Sequence, residues 1–103
     1  MEKDEEKIQT KEEKVVGAVV SYFCNDELQF KLKRLSDYVT NNGIKVDRYY
    51  TAGDGELVPY YELLADIFEE NIDTLVVVGH IDNLPIKDET IDKILQYIDV
   101  INI

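Results

Sequence analysis

The chain carries one cysteine, Cys24, and one histidine, His80. Each follows a run rich in β-branched residues, Val15–Phe23 before the thiol and Thr74–Val78 before the imidazole. A thiol beside an imidazole is the smallest set for nucleophilic catalysis: the ring takes the thiol proton, and Asp82 can orient the ring. The same residues also have a plain reading, because a single cysteine next to a buried strand behaves as a small apolar side chain. Asp26, Asp54, Glu56 and Asp82 offer oxygen ligands to a hard cation. Their spacing matches neither a calcium loop nor a zinc site, and no cofactor or metal is expected. The Gly53-Asp54-Gly55 loop lacks the lysine and the helix-opening spacing of a phosphate cradle and reads as a turn. Tyr49-Tyr50 and Tyr60-Tyr61 add aromatic pairs. Strand alternation puts one of Tyr49 and Tyr50 on each face, so an exposed tyrosine for a protein interface is available.

Positioning these groups requires strands and helices in alternation. Val15 to Phe23 is a nearly unbroken apolar run, as a strand buried on both faces demands. Asn25 or Asp26 is placed to cap a helix running to about Asn41, with Leu28, Leu32, Leu35 and Val39 as its core stripe. Asn42-Gly43 supplies a left-handed stop. Ile44 to Thr51 reads as a second strand with Val46 buried, and its charges Lys45, Asp47 and Arg48 suggest a sheet edge. Pro59 suits the first turn of a helix to about Asn71. Leu63, Leu64, Ile67 and Phe68 are expected inward. Thr74 to Val78 is the third and most apolar strand. A last helix follows Asp88-Glu89 and places Ile91, Ile94, Leu95 and Ile98 on one face, and Val100 to Ile103 begins a short fourth strand. The pattern predicts a small doubly wound α/β domain with a mainly parallel sheet of three to four strands and helices on both faces. The first and third strands should be neighbours, with the second at an edge. Ligands of such folds gather at the carboxyl ends of the strands, where Cys24, the Thr51–Glu56 loop and His80 all fall.

Composition narrows the functions. In 103 residues there are 11 basic and 22 acidic side chains, a net charge of −11. Hydrophobic residues at 45% are enough for a core, so global disorder is not expected. Residues 1–14 hold six acids and four lysines around one aliphatic residue, Ile8, and read as a charged, disordered tail. Residues 15–103 form the folded domain and remain acidic, with 7 basic against 16 acidic residues. Such a field repels nucleic acid and anionic lipid, so autonomous nucleic-acid binding and membrane association are not expected. The charged start of the chain is unlike a signal peptide, and one cysteine excludes an internal disulfide. A cytoplasmic protein is the expectation.

The order of segments resembles the N-terminal catalytic domain of the serine recombinases, the resolvase/invertase family. That family opens with a strand ending in Tyr-x-Arg-x-Ser and a helix, followed by a Gly-Ile strand and loop. A helix with paired leucines, an Ile-Asp strand and an Asp-Arg-Leu-x-Arg motif complete it. This chain reads VVSYFCNDELQFKLKRLSDY, NNGIKVDRYYTAGDGEL, YYELLADIFEENIDTLVVV and HIDNLPIKDE. The likeness covers about residues 17–98 and lies mostly in framework positions. It implies a resolvase-like fold and an ancestry in DNA recombination on mobile elements or prophages.

The family's chemistry needs a serine that attacks a DNA phosphodiester and arginines that stabilise the charged intermediate. Here the serine position falls on Cys24 or Asp26, and the first arginine on Tyr22 or Cys24. Asp82 matches the family aspartate, the next arginine is Asn83, and the second falls near Ile86. Thr51-Ala52 does not supply the loop aspartate, and Lys87 is a single positive charge. The resemblance therefore implies a pseudoenzyme without catalytic residues, acting as a protein-binding or regulatory module. Its partner would be another protein or a second copy. A small enzyme using Cys24 with His80, or an acidic DNA mimic, are the competing readings.

Overall fold

The computed structural model describes residues 14–103; the sequence reading of a disordered tail falls almost wholly outside them. Four parallel strands form one sheet in the order β2-β1-β3-β4. They are β1 (Val16–Ser21), β2 (Arg48–Ala52), β3 (Thr74–Val77) and β4 (Asp99–Asn102). Helices α1 (Asn25–Asn42), α2 (Val58–Phe68) and α3 (Asp88–Tyr97) connect them, and a short 3-10 turn spans Ile81–Asn83. The doubly wound α/β expectation holds, with β1 and β3 adjacent and β2 at an edge.

Alternation along the strands builds two cores. Val16, Ala18 and Val20 of β1, with Val76 of β3 and Val78 beyond it, pack beneath Leu35 of α1. On the other face Val19, Tyr50, Leu75 and Val77 meet Tyr60, Leu63 and Ile67 of α2 and Ile91 and Ile94 of α3. Both β1 and β3 are apolar on both faces because helices cover both faces. At β2 only Tyr50 and Ala52 are buried. Gly17 lies where the ring of Tyr50 crosses the sheet: a Cβ there would sit 3.0 Å from Tyr50 Cε2 and 3.2 Å from Ile72 Cδ1.

The ends of the helices depart from expectation for local reasons. At the start of α1 the N-cap position belongs to Cys24, not Asn25 or Asp26, and its side chain makes no capping bond. Glu27 reaches back instead and accepts the Phe23 backbone N–H at 2.6 Å. Gly43, with φ +63°, ends α1 as anticipated. Ile44 N–H donates to the Val39 carbonyl at 2.9 Å, and both side chains pack on the same core. Residues 44–47 precede β2 rather than belonging to it. Val46 is only half-buried, and Asp47 substitutes for a ladder pair by accepting the Val16 N–H on its carboxylate at 2.9 Å.

Helix α2 stops at Phe68, three residues before the expected end, because Glu70 adopts φ +63°. Asn71 N–H donates to the Asp66 carbonyl at 2.7 Å and Glu70 N–H to that of Ile67 at 3.1 Å, the Schellman pattern with glutamate in the glycine position. Phe68 and Leu95, both expected inward, are exposed. Each lies at the margin of its apolar stripe, and Phe68 lies edge-on to Tyr97, with centroids 5.0 Å apart.

Candidate site at the carboxyl edge of the sheet

The loops after β1, β2 and β3 meet at the carboxyl edge around a cavity of about 380 Å³. The strand order reverses direction here, since β1 passes first to β2 and the chain then crosses to β3 on its other side. Tyr22 and Phe23 come from the first loop, Gly53 and Glu56 from the second, Leu57 and Tyr60 from the start of α2, and Asn83 and Pro85 from the third. Tyr22 N–H donates to the Ala52 carbonyl at 3.0 Å. Its ring lies over Gly53, with Cζ and the hydroxyl 3.2 Å from where a Cβ would stand. Tyr60 is buried at the base of the cavity. Burial raises its phenol above the ordinary range, against a smaller opposing effect of a hydrogen bond with Ser21.

Electrostatics decides what this rim can hold. Loop amides at the carboxyl edge of a parallel sheet are the groups such folds offer to an anion. Two of them are already filled by the chain's own carboxylates. Phe23 N–H donates to Glu27 Oε1 and Gly53 N–H to Glu56 Oε1, both at 2.6 Å. The bond from Phe23, with help from Lys31, holds the Glu27 carboxyl below its ordinary range. Lys31 is engaged in turn, donating to the Ser21 carbonyl at 2.8 Å and pairing with Glu27 at 3.1 Å. A phosphate entering here would meet carboxylates where it needs donors.

Of the residues singled out from sequence, Tyr22, Asp54, Glu56, Tyr60 and Asn83 line the cavity. Cys24, Asp26, His80 and Asp82 are exposed and outside its lining. The histidine is held by its own turn: His80 Nδ1 accepts the Asp82 N–H at 3.1 Å and lies 3.4 Å from the Asp82 carboxylate. Both contacts lie within one turn and take up the Nδ1 edge of the ring. Among the described residues, no three His, Cys, Asp or Glu side chains gather as metal ligands. No helix among them is long and apolar enough to cross a membrane.

A second polar centre escaped the sequence reading. Asp66 on α2 accepts the Tyr50 hydroxyl at 2.5 Å and Asn71 Nδ2 at 3.0 Å, and pairs with Arg48 at 3.1 Å. These contacts hold its carboxyl below the ordinary range, Tyr50 contributing most. Burial, then Asp66, pushes the Tyr50 phenol far above its usual value. The cluster ties β2 to the end of α2 and explains a charged Arg48 within a strand. Three of its members lie sixteen or more residues from at least one partner, beyond the reach of any local pattern.

No protein-family model, curated protein or solved structure matches the chain.

Proposed function

We propose that this chain is a catalytically silent, resolvase-like α/β domain that serves as a protein-binding or regulatory module, with the carboxyl-edge rim as its binding surface. The observation that carries this reading is the occupation of the Phe23 and Gly53 amides by Glu27 and Glu56. It takes two of the rim's donors from phosphoryl chemistry and puts carboxylates in their place. What the rim offers outward is apolar: Phe23 is 76% and Leu57 48% exposed at the mouth of the cavity. An aromatic anchor beside a shallow cavity ringed by carboxylates suits a protein surface with an apolar centre and a basic margin. The exposure of both Cys24 and His80, outside the cavity, speaks against the Cys24–His80 enzyme.

A photo-crosslinking residue placed at Phe23 in the native cell, followed by mass spectrometry, tests the proposal. The expected result is a protein adduct whose non-covalent complex survives high salt and is lost in Phe23→Glu. Adducts with nucleic acid, or none at all, would sink the reading. A complex that dissolves as salt rises would instead favour acidic mimicry, because charge-driven pairing is screened over about 10 Å at 0.1 M.

A further inference from the structure

Helix α2 is apolar on two opposite faces. Tyr60, Leu63 and Ile67 face the core. On the opposite side Val58, Tyr61, Ala65 and Phe68 follow i, i+3, i+7, i+10, the spacing of a helix-pairing seam, and all four are exposed. Val58 and Tyr61 are each 63% exposed. A helix apolar on both sides is expected to be covered on both, and among the described residues no element covers the outer one. Tyr97 sits against Phe68, and Leu57 continues the stripe beyond the first turn. Five of the nine exposed large hydrophobic side chains thus gather here. Scaled by side-chain size they present on the order of 550 Å², the upper end of an ordinary monomer patch and comparable with the apolar share of the ~800 Å² per partner of a standard interface.

We propose that a second copy of the chain covers this face, with α2 packed antiparallel on the partner's α2 about a two-fold axis. The spacing itself favours this occupant. An axis passing level with Leu63 sets Val58 opposite the partner's Phe68 and Tyr61 opposite the partner's Ala65. Each pair joins a small side chain to a large one, so one stripe is complementary to itself, as an isologous interface requires. The seam carries no charge. Glu62 lies on its flank, and the Asp66 carboxylate is turned to Arg48 and Tyr50. Association must overcome repulsion between two chains of net charge −11 each, so it strengthens as salt is added, opposite to an ion-paired interface. The inference shares only Leu57 with the rim and does not rest on it.

Sedimentation of the whole chain over a concentration series is the test. A species of twice 11.9 kDa, favoured by salt and indifferent to Phe23→Glu, is expected. Ala65→Tyr sets two tyrosines against two and should weaken dimerisation about tenfold or more. Adding Tyr61→Ala to it restores large against small with the sites exchanged, and should recover most of the affinity. Both positions are exposed, and circular dichroism shows whether the variants remain folded. A monomer at every concentration, a dimer indifferent to Ala65→Tyr, or a failure of the exchanged pair to recover would each overturn the proposal.

Discussion

Asp66 shows how much one carboxylate can organise. It takes a phenol from β2, an amide from the turn after α2 and a guanidinium from the start of β2. A hydrogen bond to a charged group contributes about 1.5–3 kcal/mol when shielded. Arg48 is nearly half exposed, so that ion pair adds little and most of the effect comes from Tyr50. Asp66→Asn and Tyr50→Phe are each expected to lower stability by about 1–2 kcal/mol in denaturant unfolding. Their pH signatures differ. The folded Asp66 carboxyl is depressed, so its contribution is complete above the ordinary carboxyl value near 4 and is lost as pH falls through the lower folded value. The gap between the native chain and Asp66→Asn should therefore be flat at neutral pH and close in acid. The folded Tyr50 phenol is raised, so its contribution is complete below about pH 10 and fades above it. An Asp66→Asn gap that widened in acid would show that the carboxylate is not the stabilising form.

At the scale of elements, the two Schellman turns invite comparison. After α1 the left-handed position is Gly43, and after α2 it is Glu70. A side chain in that conformation costs about 1–2 kcal/mol relative to glycine. Glu70→Gly should stabilise the domain by about 1 kcal/mol, roughly 4–8 °C in Tm for a chain of this size. No rise in Tm would mean that the Glu70 side chain contributes something its exposed position hides. Gly17→Ala should act in the opposite direction. Tyr50 is pinned by Asp66 and cannot swing from the new Cβ, so a loss of about 1–3 kcal/mol in denaturant unfolding is expected. The α1 stop was legible because Asn42-Gly43 is a local signal. The α2 stop was not, because nothing in Phe68–Asn71 announces a left-handed glutamate. Strand order was legible from the contrast between apolar β3 and the charged segment 45–48, although only Arg48 of that segment lies in β2. Periodicity placed Ile91 and Ile94 correctly but could not decide the margins, so Leu95 and Phe68 were read as buried. The rim was legible as a place and not as a chemistry: Cys24 and His80 follow from composition, whereas the amide contacts of Glu27 and Glu56 depend on how each loop folds back.

For the whole molecule the governing quantity is charge, and it bears on the proposed silent, resolvase-like reading. Strand transfer would need the domain to approach a polyanion, place a nucleophile beside a phosphate and surround that phosphate with guanidinium groups. Each guanidinium presents a fork of donors that an amide or aliphatic side chain cannot replace. The chain has two arginines, Arg34 and Arg48. Arg48 is paired with Asp66 at the opposite end of β2 from the rim, and Arg34 is exposed on α1, ten residues beyond Cys24. At the rim Lys31 is held by Ser21 and Glu27, and the amides of Phe23 and Gly53 are filled. Neutralising phosphates requires clustered cations, and here 16 acids face 7 basic residues across the body. Duplex DNA should therefore show no binding in anisotropy at physiological salt, and supercoiled DNA no nicking and no covalent adduct. Cys24→Ser alone should not change this, since it supplies a hydroxyl without the charges that would stabilise its attack. Charge and chemistry can be separated with Glu27→Gln and Glu56→Gln, which remove two negative charges from the rim while keeping an oxygen acceptor for each amide. If those variants bind DNA weakly yet still form no adduct, repulsion accounts for the lack of affinity and the missing arginines for the lack of chemistry. An adduct trapped with the unaltered chain would overturn the silent-domain reading, and activity gained by Cys24→Ser alone would overturn the argument from arginine.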